Sequence, residues 1–155
     1  MRKLLVGCSV ALAACGAGVA WAQGAPVPLP ADAIIAARQA GFDLQSGNAV
    51  GMKAAIDGGG DVKGFSDAAK GLSAWGHVIP SMFPDGTQAG HGTKTKPEVW
   101  SDRAGFEKAA ENFWTQADKL AVLAEANDKP GFAAQFTATT QACGACHRNY
   151  RQRLN

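Results

Sequence analysis

Near the C-terminal end of this chain stand Cys143-Gly144-Ala145-Cys146-His147, followed by Arg148, Asn149, Tyr150 and Arg151. Cys-x-x-Cys-His is the attachment signature of c-type haem. Each thiol adds across a vinyl group to form a thioether, and the adjacent imidazole is placed to bind the iron from one face. On a helix, Cys143 and His147 are four residues apart and share a face, with Cys146 beside them. One turn thus supplies two anchors and one axial ligand. The same residues also suit a redox Cys-x-x-Cys or half of a zinc site. A redox pair wants a βαβ context, and no strand pattern lies nearby. A structural zinc site needs four ligands, and no second Cys/His cluster follows the N-terminal segment.

The residues around the motif say what kind of body it must enter. Phe132, Phe136, Thr139, Cys143, Cys146 and Tyr150 repeat at alternating steps of four and three, so the two thiols share a helical stripe with core aromatics. The cofactor must therefore reach the core. Asp128 caps this helix and Pro130 is tolerated in its first turn. Arg148, Arg151 and Arg153 are expected in its last turns, where cations oppose the negative helix end. Upstream, Ala31 to about Ile56 forms a first helix with Ile35, Arg38, Phe42, Ala49, Met52 and Ile56 near one stripe, Ile34 and Leu44 to its side. Gly41, Gly47 and Gly51 weaken it intrinsically and suggest close approach to a flat cofactor or a neighbouring helix. Asp57-Gly58-Gly59-Gly60-Asp61 ends it. A second helix carries Phe65, Ala68, Leu72, Trp75, Ile79 and Met82 as its seam and closes at Pro80 and Pro84. Residues 83–100 form a long loop. Ser101 or Asp102 caps a third helix, with Phe106, Ala109, Ala110, Phe113, Ala117, Leu120 and Ala124 along one face. Four amphipathic helices with modest connections predict an all-α, antiparallel four-helix bundle.

Residues 1–22 are expected to be an export signal: Arg2 and Lys3, an apolar run from Leu4, then Ala20-Trp21-Ala22 before Gln23. Residues 23–155 then form the bundle domain. A competing pattern, Leu12-Ala13-Ala14-Cys15-Gly16, resembles a lipobox and would make Cys15 a lipid-anchored N-terminus. Loss of residues 1–22 removes two cations and no acids, taking the formal charge from +2 to 0. A neutral chain has no electrostatic footprint for nucleic acid, and no span is expected to remain in the membrane. Covalent haem attachment suits an exported location, the periplasm.

The order of these features is similar to the cytochrome c′ family, the class II c-type cytochromes. The matching pieces are Arg38 in the first helix, Met82-Phe83-Pro84-Asp85-Gly86, Pro97-Glu98-Val99-Trp100 before the third helix, and CGACHRNYR at the end. The resemblance implies one covalent haem c per chain, held by Cys143 and Cys146, with His147 as the iron ligand. It implies that Arg38 pairs with a haem propionate and that Arg151, in the last motif, lies at the cofactor. It puts Phe42 where six-coordinate relatives present a methionine. Phenylalanine cannot ligate, so the implied iron is five-coordinate and high-spin with an apolar distal side. Met52 is the alternative sixth ligand, and it would make a low-spin electron carrier. The expected function is electron transfer, binding of small gases such as NO and CO, or both. A peroxidase-like enzyme is the rival, but no hydrogen-bond donor or general acid–base is evident on the distal side. His77 and His91 read as surface or packing residues, and Trp75, Trp100 and Trp114 as core or helix-contact aromatics. Redox proteins are the expected partners, and a homodimer through the first two helices is a further expectation.

Overall fold

The computed structural model describes residues 28–153; the expected export signal (residues 1–22), with Cys8 and Cys15, lies outside these residues. Residues 28–30, with Pro28 and Pro30, have no regular structure, and helix α1 (Ala31–Asp57) begins at once after them, Ile34 donating its N–H to the Pro30 carbonyl at 3.1 Å. Gly59, at φ +64°, turns the chain out of the helix in the left-handed region that glycine adopts without strain. A 3₁₀ turn (Lys63–Phe65) leads into α2 (Ser66–Val78), and a second (Ile79–Met82) carries Pro80 and closes it. The expected long loop runs as far as a single helical turn, α3 (Glu98–Ser101). Helix α4 (Arg103–Glu125) is capped by Asp102, whose side chain accepts from Gly105 N, and α5 (Lys129–Tyr150) by Asp128, which accepts from Gly131 N at 3.0 Å.

The four long helices form an antiparallel bundle in which α2 packs on α4, α4 on α5, and α1 closes the ring against α5 and α2. Phe106, Ala110, Phe113, Ala117, Leu120 and Ala124 of α4 are buried, as expected, and hold the bundle's apolar centre with Phe132 and Phe136 of α5. Each large apolar side chain buried here contributes about 1.5–3 kcal/mol.

Two expectations need correction. The seam of α2 is rotated: Ala69, Leu72, Ser73 and Gly76 are buried, while Ala68 and Trp75 are only half-buried. The cause is that α2 serves two neighbours. Gly76 lets it lie against Phe113 and Trp114 of α4, and Ser73 Oγ donates to Asp118 at 2.6 Å. Trp75 points the other way, packing across Gly41 of α1, where a side chain would overlap the indole. Gly41 thus serves helix approach, whereas Gly47 has open space beside it. The second correction concerns the basic tail. Helix α5 ends at Tyr150, so Arg151 and Arg153 lie beyond it and only Arg148 sits in its last turn. Arg151 is extended (φ −121°, ψ 135°) and bridges antiparallel to Thr95, with Gln152 N donating to Lys94 O at 2.7 Å and Lys96 N to Tyr150 O at 3.0 Å. The 83–97 loop is thereby stitched to the end of the haem-motif helix. Among the described residues, no helix is long and apolar enough to cross a membrane.

Candidate haem site

Helix α1 closes the ring without filling it. Between it and the other helices lies a cavity of about 530 Å³, within the range of roughly 300–1,000 Å³ usual for cofactor and small-molecule sites. Its wall is largely apolar, with Leu72, Ile79, Phe83, Phe106, Phe113 and Phe136 among its residues. All six residues proposed from the sequence as cofactor-binding border it: Arg38, Phe42, Cys143, Cys146, His147 and Arg151.

The α5 wall fits thioether attachment and iron ligation. Cys143 and Cys146 are half-buried and not joined to each other. Burial pushes both thiols up, Cys146 to about 11, so they stand as neutral S–H groups at neutral pH. His147 borders the cavity and is in part open to solvent. Burial of the ring, and secondarily the Arg151 cation, lowers its pKa. Both effects favour neutral imidazole, the form that ligates a metal. Arg151 therefore has a physical use beside His147 whether or not it touches the cofactor.

On α1, Arg38 is 2% exposed, with its guanidinium stacked 4.4 Å from the Phe83 ring centroid. Nη1 donates to Thr87 Oγ1 at 2.9 Å and Met82 O at 3.3 Å. Nη2 donates to Thr87 O at 2.8 Å, Thr93 Oγ1 at 2.9 Å and, more weakly, Thr95 Oγ1 at 3.4 Å. Every one of these acceptors is neutral, and Arg38 takes part in no ion pair among the described residues. A buried cation without an anion is costly. Here it borders a cavity sized for a cofactor that carries two carboxylates. The donor set, the two thiols and the neutral imidazole fit haem c.

Phe42 stands one turn after Arg38, edge-on to Trp75 (centroids 5.7 Å, 88°) and 6.5 Å from Phe83. Met52 is fully buried in the apolar core and does not border the cavity. Sequence reasoning missed the threonine clamp, Thr87, Thr93 and Thr95, because nothing in a loop's composition reveals which buried cation it will wrap. It also missed Gln45. That residue borders the cavity, and a signal existed: 38, 42, 45, 49 and 52 continue the α1 stripe in steps of four and three. Tyr150 was placed on the α5 stripe, but its bond to the Asp102 cap at 2.7 Å, tying the end of α5 to the start of α4, was not foreseen. His77 and His91 are surface residues as read, His77 stacked on Trp114 and His91 paired with Asp32 at 3.1 Å.

Known proteins share this arrangement. The family model described as Cytochrome C′ matches residues 33–151. A cytochrome c′ of Rubrivivax gelatinosus is 35% identical over 127 residues, covering 80% of this chain and 97% of that protein. The crystal structure of cytochrome c′ from Thermochromatium tepidum superposes with a TM-score of 0.77 at 27% identity, covering 82% of this chain and all of that one (100%). A nitric oxide complex of a cytochrome c′ variant from Alcaligenes xylosoxidans superposes with a TM-score of 0.74 at 25% identity, covering 83% and 100% of the two chains. The chain belongs to the cytochrome c′ family, helical-bundle c-type cytochromes that carry covalently attached haem c.

Proposed function

We propose that this is a periplasmic cytochrome whose haem is attached through Cys143 and Cys146, ligated by His147 and left open on the Phe42 side. Such a site transfers electrons, binds NO or CO, or does both. When bound, the haem would supply an iron able to exchange one electron and to take a small ligand. The observation that carries this reading is the choice of side chains on the cavity face of α1. Phe42 borders the cavity and cannot ligate, while Met52, the alternative ligand, is buried away from it. The nitric oxide complex of the Alcaligenes relative supports gas binding in this fold.

The chain's own residues have three tasks. Arg38 and its threonine clamp hold an anionic edge of the cofactor in place. Arg151 and burial keep the His147 imidazole neutral. Phe42, braced by Trp75 and Phe83, excludes water from the open face. We read no enzyme here: Asp43, the carboxylate bordering the cavity, is exposed to solvent and not held in the apolar interior as a general base. Electron exchange with redox proteins is proposed at the cavity mouth, where Lys94 and Arg151 lie exposed. A homodimer is proposed through α1, whose Leu44 and Val50 are 70% and 71% exposed.

Carbon monoxide binding to the ferrous protein tests the open site. Displacing Phe42 disturbs two aromatic contacts, each worth about 0.5–1.5 kcal/mol. Wild-type binding should then be slower than that of Phe42→Ala by about 5- to 150-fold. Equal rates, or no binding at all, would contradict the proposal.

A further inference from the structure

Arg38 leaves part of its donor set unpaired beside the cavity. A guanidinium carries two hydrogens on each Nη and one on Nε. Those of Nη1 go to Thr87 Oγ1 and Met82 O, and those of Nη2 to Thr87 O and Thr93 Oγ1. The Nε hydrogen has no acceptor among the described residues. Nor is Nε one of the enclosed side-chain atoms that lack a partner, which are Gln45 Oε1 and Trp75 Nε1. It therefore keeps some open surface, and the open space that Arg38 borders is the haem cavity.

The threonine clamp holds a surplus hydrogen of its own. A hydroxyl has one hydrogen to donate and two lone pairs. Thr87 donates its hydrogen to Pro84 O at 2.8 Å. Thr93 Oγ1 and Thr95 Oγ1 lie 2.9 Å apart, and both accept from Arg38 Nη2, Thr95 weakly. Whichever of these two donates to the other, one hydroxyl hydrogen is left over, without an acceptor among the described residues. Both threonines are half-buried and border the cavity. Their backbone is fixed in advance. Thr93 N closes a turn onto Gly90 O at 3.0 Å, through Gly90, His91 and Gly92 at φ +106°, +48° and +64°. His91 is held in this left-handed conformation, uncommon outside glycine, by its pairing with Asp32 and by Gln39 Nε2 donating to its carbonyl at 3.1 Å. Thr95 is held by its bridge to Arg151.

We propose that Thr93 and Thr95 bind the cofactor directly: one of their hydroxyls, together with Arg38 Nε–H, donates to a carboxylate oxygen of a haem propionate. This rests on the proposal above that Arg38 holds the anionic edge of the cofactor. The threonines are then more than a brace for the guanidinium. Arg38 meets the carboxylate through Nε and not through its Nη fork, which Met82, Thr87 and Thr93 occupy. Donors beside a buried cation favour the ionised carboxylate over its acid or ester.

The propionate bending band in the resonance Raman spectrum of the holoprotein reads this contact, because it falls in frequency as the carboxylate loses donors. The hydrogen count makes the expectation non-additive. Thr93→Val or Thr95→Val alone removes one hydroxyl and frees the other to donate, so each should move the band little. The double valine variant removes both hydroxyls and should lower the band clearly, while Thr93→Ser with Thr95→Ser should keep it at the wild-type position. Thr93→Ala with Thr95→Val removes the same hydroxyls with less bulk, so the test does not depend on a single variant folding. If the threonines only brace Arg38, whose bonds to Thr87 and Met82 survive in all these variants, the band stays in place in every one of them and Arg38→Met alone lowers it. That result would overturn the threonine seat and leave the Arg38 pairing standing. A band that moves in no variant, Arg38→Met included, would overturn both.

Discussion

Arg38 is the residue whose replacement reports most on how the cavity is used. The Arg38→Met change keeps an unbranched stem and removes the guanidinium. In the haem-free chain it deletes three bonds of 2.8–2.9 Å, to Thr87 Oγ1, Thr87 O and Thr93 Oγ1. Bonds from a charged donor are worth about 1.5–3 kcal/mol each when fully realised. Two effects offset much of that sum. The variant relieves a buried cation of its desolvation, the cause that lowers the Arg38 pKa. The Thr93 and Thr95 hydroxyls, 2.9 Å apart, also retain each other. A net loss of about 1–2 kcal/mol is expected without haem. If a haem propionate pairs with Arg38 as proposed, it would add a charge-assisted bond in the holoprotein, and the loss should grow by about a further 1.5–3 kcal/mol. Urea denaturation of the holoprotein, and of a haem-free chain carrying Cys143→Ser and Cys146→Ser, measures both at constant slope. Arg38→Lys should fall between the two, since an ammonium keeps the charge and loses the fork. Equal losses in the two forms would mean that the threonines are Arg38's whole purpose.

Further outcomes follow from the same geometry. Acid–acetone treatment should leave haem on the polypeptide, with mass added to the peptide holding Cys143 and Cys146; release of free haem would refute attachment there. Tyr150→Phe should cost about 1–2 kcal/mol by breaking the bond to Asp102. That bond, with burial second, raises the phenol from 10 to about 12. A raised folded-state pKa stabilises below pH 10, and the gain is lost as pH rises through about 12; the wild-type advantage over Tyr150→Phe should fade over that window, and a pH-independent difference would contradict the assignment. Gly41→Ala should destabilise the protein by pressing a methyl into the Trp75 ring, and Gly47→Ala, with open space beside it, should not. Phe42→Met should convert the iron to low spin by offering it a thioether, visible in the absorption spectrum.

The helices were legible because each carries a strict apolar stripe and a chemical stop. Asp102 and Asp128 cap the helices they were expected to cap, and the buried face of α4 is almost residue for residue the one its spacing gives. Helix α2 was misread in register because a seam rule assumes one partner, and this helix has α4 on one side and the cavity on the other. That Cys143, Cys146 and His147 would border one cavity was legible because the chemistry of the motif fixes their spacing. Gln45 was not, although it continues the stripe, because a polar side chain at a core position reads as an interruption until the cavity behind it is visible. The threonine clamp and the pairing of Thr95 with Arg151 were beyond reach: both join residues tens of positions apart through backbone that has no periodic pattern.

The most direct measurement is the absorption spectrum of the purified holoprotein in both oxidation states. A five-coordinate, high-spin iron should be found in each, since His147 is the one iron ligand proposed and Phe42 cannot coordinate. A low-spin ferrous spectrum with methionine bound, abolished by Met52→Leu, would contradict this. The core around Met52 would then have to rearrange to reach the iron, and the protein would be an electron carrier closed to gases.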